Sequence, residues 1–246
     1  MTSGELSDEK LLTRRERTRA ATVEEIKQTA LSLMRESSTT DIRFADIARA
    51  MGLTAPALYR YFADRDELLT AMIVDAFVDL GAALARAVAE VPDDDLGNRL
   101  LAGAQAYRQW AKGDPQRFAL VFGIPVPGYS APEEGPTEEA AKSAMSNLGD
   151  IVQDAMRRGV AGAPLVSDVG PALAKRMLEK QWAGDPLPPV NHQSMLHAWS
   201  ALHGFVCLDA YGQFDWFDEQ ARDELFTGLV RLAALALGIP APPVRP

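Results

Sequence analysis

The sequence predicts an all-α chain: a small N-terminal bundle of three helices, a long connecting helix, and a larger helical domain. Three observations predict it. Apolar residues recur at spacings of three and four along most of the chain, without the alternation of half-buried strands. Breaks rich in Gly and Pro separate those periodic stretches. Two short amphipathic stretches flank Gly52, so residues 43–62 read as helix, tight turn, helix.

Residues 1–13 read as a disordered N-terminus, followed by the basic cluster Arg14, Arg15, Arg17 and Arg19. That cluster is either an arm that orders on a polyanion or the frayed start of a helix. The first helix is expected from about Thr18 to Ser37, with Ile26, Ala30, Leu33 and Met34 as its apolar face. Ile47, Ala48 and Met51 then repeat at helical spacing and would bury the next helix. Gly52 follows the last periodic residue, where a residue able to take positive φ ends a helix at least cost. Thr54 is placed to cap the helix after it, with its hydroxyl accepting a first-turn N–H. Pro56 falls in that first turn, where its missing donor does little harm.

Leu58 and Phe62, four apart, form the inward pair of this second short helix. Ala55, Ala57, Tyr59, Arg60 and Tyr61 are left to point outward, and Thr54 and Pro56 are expected to face a nucleic-acid groove or its walls beside them. Small residues let a backbone approach base edges, while tyrosine hydroxyls and an arginine supply donors to phosphate oxygens. The same residues are compatible with an ordinary helical hairpin carrying amphipathic tyrosines.

Charge supports the nucleic-acid reading once it is divided. Residues 10–65 hold eleven Lys plus Arg against seven Asp plus Glu, a balance of +4 within a chain of net charge −9, so the remainder carries −13. Any polyanion footprint is therefore expected on the N-terminal part alone.

From about Arg15 to Met72 the sequence closely resembles the DNA-binding domain of the TetR family of bacterial regulators. Asp46-Ile47-Ala48 and Gly52-Leu53-Thr54 fall at the family's helix-turn signature. Leu58-Tyr59-Arg60-Tyr61-Phe62 matches its Leu-Tyr-x-His/Tyr-Phe ending, and Asp64 to Leu69 match the start of its connecting helix. One position departs: Arg43 stands where the family usually has a Ser or Thr N-cap. Either the cap moves to Asp41, or Arg43 binds phosphate at the helix entrance. The resemblance implies a double-stranded DNA operator as partner, with Arg43, Arg60 and Arg65 on phosphates.

Asp64 or Arg65 opens the connecting helix, expected over 65–90, with apolar positions covering more than one stripe. Val91-Pro92-Asp93 breaks the chain. Helices are then expected near 96–112, 115–122, 134–160, 168–182, 191–211 and 218–237. The domain boundaries follow: 14–64 for the helix-turn-helix domain, 91–238 for a ligand-binding and dimerisation domain, and 239–246 for a flexible tail. The last two helices carry dense apolar positions, among them Leu196, Trp199, Leu202, Leu225, Leu232 and Leu235. A homodimer through a four-helix bundle, two helices from each chain, would bury them. Two-fold symmetry would also place two motif helices on half-sites one DNA turn apart.

Trp199-Ser-Ala-Leu-His203-Gly204 resembles the Trp/His/Gly signature of one C-terminal class among TetR-like regulators. Asp114-Pro115 through Phe122-Gly123 looks like the same class. Members of the family usually hold a small-molecule effector in this domain. The residues expected to line its pocket are Trp110, Phe118, Phe122, Met145, Met177, Trp199 and His203, with Trp182 nearby and the 123–136 loop as a portal.

The features against catalysis are specific. His192 and His197 lie five apart, a poor fit to paired ligands at i, i+4, and a single cysteine, Cys207, rules out an internal disulfide and a cysteine-based metal cluster. No phosphate-cradling loop or nucleophile elbow is present in the sequence. No cofactor or metal is expected, and no enzyme. No apolar run is expected to span a bilayer, so a cytoplasmic chain without a membrane partner is anticipated. Two rival classes make different predictions. A helical sensor without DNA binding would show no salt-sensitive DNA affinity, and an enzyme on the second domain would lose turnover on His203→Ala.

Overall fold

The computed structural model describes residues 13–123, 126–133, 135–179 and 187–243, and its regular structure is helical, with no strand among the described residues. The chain divides into two compact units. The first runs through Met72 and includes Val126–Tyr129; the second holds the rest.

In the first unit, α1 spans Arg14–Ser37, four residues longer at its start than expected. The reason is local. Thr13 and Glu16 form a reciprocal capping box, in which the Thr13 hydroxyl accepts from the Glu16 N–H and the Glu16 carboxylate accepts from the Thr13 N–H. The basic cluster is thus helical, and the helix ends at Ser38 in the left-handed conformation. Residues 1–12 of the anticipated disordered segment lie outside the described residues. Ile26, Ala30, Leu31 and Met34 are the buried face, and Leu31 replaces the expected Leu33, which is only half-buried.

The next helices are α2, Phe44–Ala50, and α3, Ala55–Leu58. Between them Gly52 takes φ 64° and the Leu53 N–H bonds back to the Ala48 carbonyl at 2.8 Å. Phe44, Ile47, Ala48, Leu58 and Phe62 are buried, whereas Met51 is only half-buried.

Helix α4, Arg65–Ala89, begins in the first unit and continues into the second. It corrects one expectation. An 18-residue window of α4 has mean hydropathy 1.9, long and apolar enough to cross a bilayer. The stretch is apolar because it serves two cores in succession. Leu68 and Leu69 are buried in the part belonging to the first unit, and Leu80 and Leu84 join the core of the second.

The second unit adds α5 (Leu96–Gly113), α6 (Pro115–Phe122), α7 (Pro136–Arg157), α8 (Pro171–Glu179), α9 (Pro189–Ala210) and α10 (Glu219–Leu237). Residues 180–182, expected as the end of α8, lie outside the described residues. Asp95, Asp114 and Asp218 cap α5, α6 and α10, each accepting a first-turn N–H. The core is built from α4, α5, α6, α7, α9 and α10, with Phe118 and Phe226 among its largest buried side chains. Gly81 lets α4 approach α7 closely, since a Cβ there would sit 3.2 Å from the Ala144 Cα.

Candidate nucleic-acid interface and ligand cavity

The first unit presents the motif as its residue pattern anticipates. Leu58 and Phe62 point into the core, and the Phe62 N–H bonds to the Leu58 carbonyl at 3.1 Å, carrying a helical turn past the end of α3. Tyr59 is 56% exposed, and its ring rests against Phe44 with centroids 5.2 Å apart. Thr54, Pro56 and Arg60 are exposed, and Ala55, Ala57 and Tyr61 are half-exposed beside them. Thr54 takes the extended N-cap conformation, yet its hydroxyl makes no cap hydrogen bond. That hydroxyl is a donor and acceptor presented to solvent at the head of the helix.

At the entrance to α2 the two cations differ. Arg43 is itself the N-cap residue, exposed, with no side-chain cap hydrogen bond. Arg65 is engaged: its guanidinium donates to the Ile42 carbonyl at 2.9 Å, to Asp41 Oδ1 at 2.7 Å and to the Pro127 carbonyl at 3.1 Å. The Asp41 carboxylate therefore serves Arg65 and not the N-terminus of α2.

Arg19 also belongs to this surface. Its Nη1 donates to the Arg60 carbonyl at 2.7 Å and its guanidinium lies over the Tyr61 ring, 5.2 Å from the centroid. In the sequence Arg19 belongs to the basic cluster that reads either as an arm or as the frayed start of a helix. A usable signal was present, because Arg19 lies seven residues before Ile26, on the face that Ile26, Ala30 and Met34 bury.

The second unit contains a cavity of about 60 Å³. Its wall includes Leu84, Leu100, Tyr107, Met145, Trp199 and Leu202, and among the described residues no charged side chain lines it. Behind the wall, Tyr107 Oη and His203 Nδ1 are 2.7 Å apart, and His203 Nε2 lies 3.4 Å from Cys207 Sγ. Both ring nitrogens of His203 are thus taken up within the protein. Burial lowers the His203 pKa and raises those of Tyr107 and Cys207, which keeps all three neutral. A neutral histidine stacked on Trp199, with ring centroids 5.0 Å apart, closes an aromatic cluster that also takes in Phe118 and Phe122.

Two exposed stripes complete the second unit. On α9, Ala201, Gly204 and Leu208 are exposed at spacings of three and four, and Tyr211, which caps its end, continues the row. On α10, Leu225, Gly228, Leu232 and Leu235 follow the same rule, and Leu232 and Leu235 are 54% and 59% exposed. Leu202, Phe205 and Val206, by contrast, are buried in the chain's own core.

Comparison with known proteins decides the family. Residues 26–72 match the family of bacterial regulatory proteins, tetR family, and residues 100–233 match the tetracyclin repressor-like C-terminal domain. The second match alone covers more than half of the chain. The chain belongs to the TetR family of transcriptional regulators. It is 36% identical over 172 residues to the HTH-type transcriptional regulator Rv1816 of Mycobacterium tuberculosis (strain ATCC 25618 / H37Rv), covering 68% of this chain and 71% of that one. It resembles the crystal structure of the regulatory protein SCO4313 with a TM-score of 0.72 and 34% identity, covering 90% of this chain and 98% of that chain. The TetR-family regulator PfmR from Thermus thermophilus shares the fold, with a TM-score of 0.52 at 19% identity over 84% of this chain and 97% of that one.

As a TetR-family regulator the chain is a DNA-binding protein, and its family is not one of enzymes. Among the residues expected at the ligand pocket, the structure brings Met145 and Trp199 to the cavity wall. His203, Phe118 and Phe122 stand in the aromatic layer behind it. Trp110 donates from Nε1 to Asp79 at 2.9 Å, and Met177 is buried on α8; neither lines the cavity. Trp182 lies outside the described residues. The wall residues missed by sequence reasoning are mostly aliphatic, and an aliphatic residue at helical spacing carries no mark that separates a cavity wall from a packed core.

Proposed function

We propose that this regulator is a ligand-responsive repressor that binds a palindromic operator as a homodimer and is released by a small uncharged, apolar molecule. The observation that carries the reading is the outward face of the motif, where Tyr59, Arg60 and Thr54 are exposed above small residues while Leu58 and Phe62 hold the segment to the core. Thr54, Ala55, Pro56, Ala57, Tyr59 and Tyr61 face the groove or its walls. Arg43 and Arg60 supply phosphate contacts and the salt-dependent part of the affinity.

Dimerisation through α9 and α10 gives the exposed leucines a partner surface. Gly204 and Gly228 have open space where a Cβ would stand, which permits close approach of a second backbone. Docking to DNA places the chain in the cytoplasm. The neutral cavity supports the effector class, since burying a carboxylate or ammonium there without a counter-charge would cost several kcal/mol. The effector displaces α4, and with it the spacing of the two recognition segments; a preference of about 1–3 kcal/mol for the mismatched spacing is enough.

The test is selection of bound duplexes from a random library, followed by a salt titration of the best one. A palindrome bound at nanomolar Kd, with affinity falling steeply as salt rises, is expected. Weak, sequence-blind binding would remove the repressor reading.

A further inference from the structure

We propose that Arg65 is a positioning residue for DNA binding: it fastens the strap Val126–Tyr129 to the entrance of α2 and is not itself a phosphate contact. The proposal rests on the reading that the motif binds DNA, and it assigns Arg65 a different task from the one its position in the motif suggests. All contacts concerned lie within the first unit.

The geometry is a three-way fork. A guanidinium carries five N–H donors in one plane, so it can bind several acceptors only when they are arranged around that plane. Here Nε takes the Ile42 carbonyl, Nη2 takes Asp41 Oδ1 and Nη1 takes the Pro127 carbonyl. The side chain of Arg65 is 24% exposed. Three of the five donors are thus taken within the protein, and only two N–H groups on a mostly buried side chain remain for any phosphate.

The acceptors also explain why the fork is needed. Helix α2 starts at Arg43 without a side-chain cap, so its first turn is not held by the usual Ser or Thr oxygen. Ile42, the residue before the cap, is 5% exposed and its carbonyl is held by Arg65. The arginine on α4 thereby fixes where α2 begins.

The strap is held independently at its other end. Val126 is 4% exposed, the Tyr129 N–H returns to the Val126 carbonyl at 3.0 Å around Gly128 at φ 76°, and the Tyr129 and Thr70 hydroxyls are 3.1 Å apart. The strap is thus a tight turn tied to α4 at Arg65 and at Thr70. A lysine in place of Arg65 would keep the charge but lose the fork.

The experiment uses the full chain and a duplex selected by the wild type from a random library. Affinity is measured across a series of KCl concentrations for the wild type, Arg65→Gln, Arg65→Lys, Arg43→Ala, Asp41→Asn and the Arg65→Gln/Asp41→Asn pair. Arg43→Ala should shallow the slope of log K against log salt by about 0.9, the signature of one lost phosphate contact. Arg65→Gln and Arg65→Lys should each weaken binding about tenfold with the wild-type slope, and the double variant should be no weaker than Arg65→Gln alone.

Hydrogen exchange on DNA-free protein supplies a readout that a phosphate contact would not move. Peptides covering 40–44 and 126–130 should exchange at least about tenfold faster in Arg65→Gln, and those covering 126–130 should do so in Tyr129→Phe. Should Arg65→Gln fail to fold, Arg65→Lys, which keeps the charge and loses the fork, carries the same exchange test. A slope shallower by about one unit in Arg65→Lys or Arg65→Gln, with unchanged exchange, would overturn the proposal. If the wild type selects no duplex, the DNA-binding reading fails by itself, and the exchange arm still decides whether Arg65 holds the strap.

Discussion

Replacing Asp209 with alanine should destabilise the second unit by about 3 kcal/mol, and the figure follows from what surrounds the carboxylate. Its side chain is fully buried and it accepts from Arg108 Nε at 2.6 Å and from Arg222 Nη1 at 3.3 Å, with Lys112 Nζ at 3.7 Å. Arg108, only 3% exposed, is the cation most dependent on it. Removing one partner of a buried pair typically costs about 3–5 kcal/mol, because the other is left charged in a poor solvent. Asp223 and Glu219 also reach Arg108, but both are more than half exposed, so they compensate in part and place the loss at the lower end. In a chain of this size about 1 kcal/mol corresponds to roughly 2–4 °C, so the melting temperature should fall by roughly 6–12 °C. The assay is a thermal melt by circular dichroism at fixed protein concentration. Arg108→Met/Asp209→Leu should recover most of the loss, since the Arg108 guanidinium carbon lies over the Phe205 and Phe226 rings, 5.7 and 5.2 Å from their centroids, where an apolar side chain would meet apolar surface. A fall below about 2 °C for Asp209→Ala, or no recovery in the double variant, would refute the reasoning.

Three further outcomes are expected. Leu232→Glu/Leu235→Glu should halve the mass seen by analytical ultracentrifugation while leaving helicity unchanged, because both side chains are exposed in the single chain; a persistent dimer would place the interface elsewhere. Tyr59→Ala should weaken operator binding about tenfold with a small loss of stability from its Phe44 contact, and unchanged affinity and specificity would remove Tyr59 from the docking surface. The third concerns pH. Burial lowers the pKa of His203, and of His192, below the usual 6.5, so the unfolded chain binds protons that the folded chain refuses. Their contribution to stability is therefore complete above about pH 6.5 and is lost as pH falls from there toward the folded-state values. Melting temperature should drop between about pH 7.5 and 5.5, and His203→Gln should flatten part of that drop; an equal slope in the variant would show that His203 is not the group titrating.

Much of the fold was legible because helices announce themselves through local physics. The connecting helix and the helices near 96–112, 115–122 and 218–237 were placed within about a residue at each end, since their caps and their apolar period lie in the same few residues. The start of α1 is set by the Thr13/Glu16 pair, whose capping-box spacing stands in the sequence beside four arginines within six residues that carry no apolar period. The outward face of the motif was legible for a related reason: Leu58 and Phe62 fix which side faces in, and Tyr59 and Arg60 then have one side left.

The class of fold, the place and exposed chemistry of the motif, and the family could all be read from the order of residues alone. They rest on spacing along one chain, where neighbours three and four residues apart share a helix face whatever the tertiary arrangement. Packing was needed to settle what particular groups are occupied with. Arg43 and Arg65 look alike in sequence, yet one is exposed and the other is bound to acceptors 24 and 62 residues away. Trp110 and Trp199 look equally suited to a ligand pocket, yet one donates to Asp79 and the other lines the cavity. The physical reason is the same in both pairs: a side chain's partners are set by which distant segments packing brings within about 3 Å, and that information is not periodic in the chain.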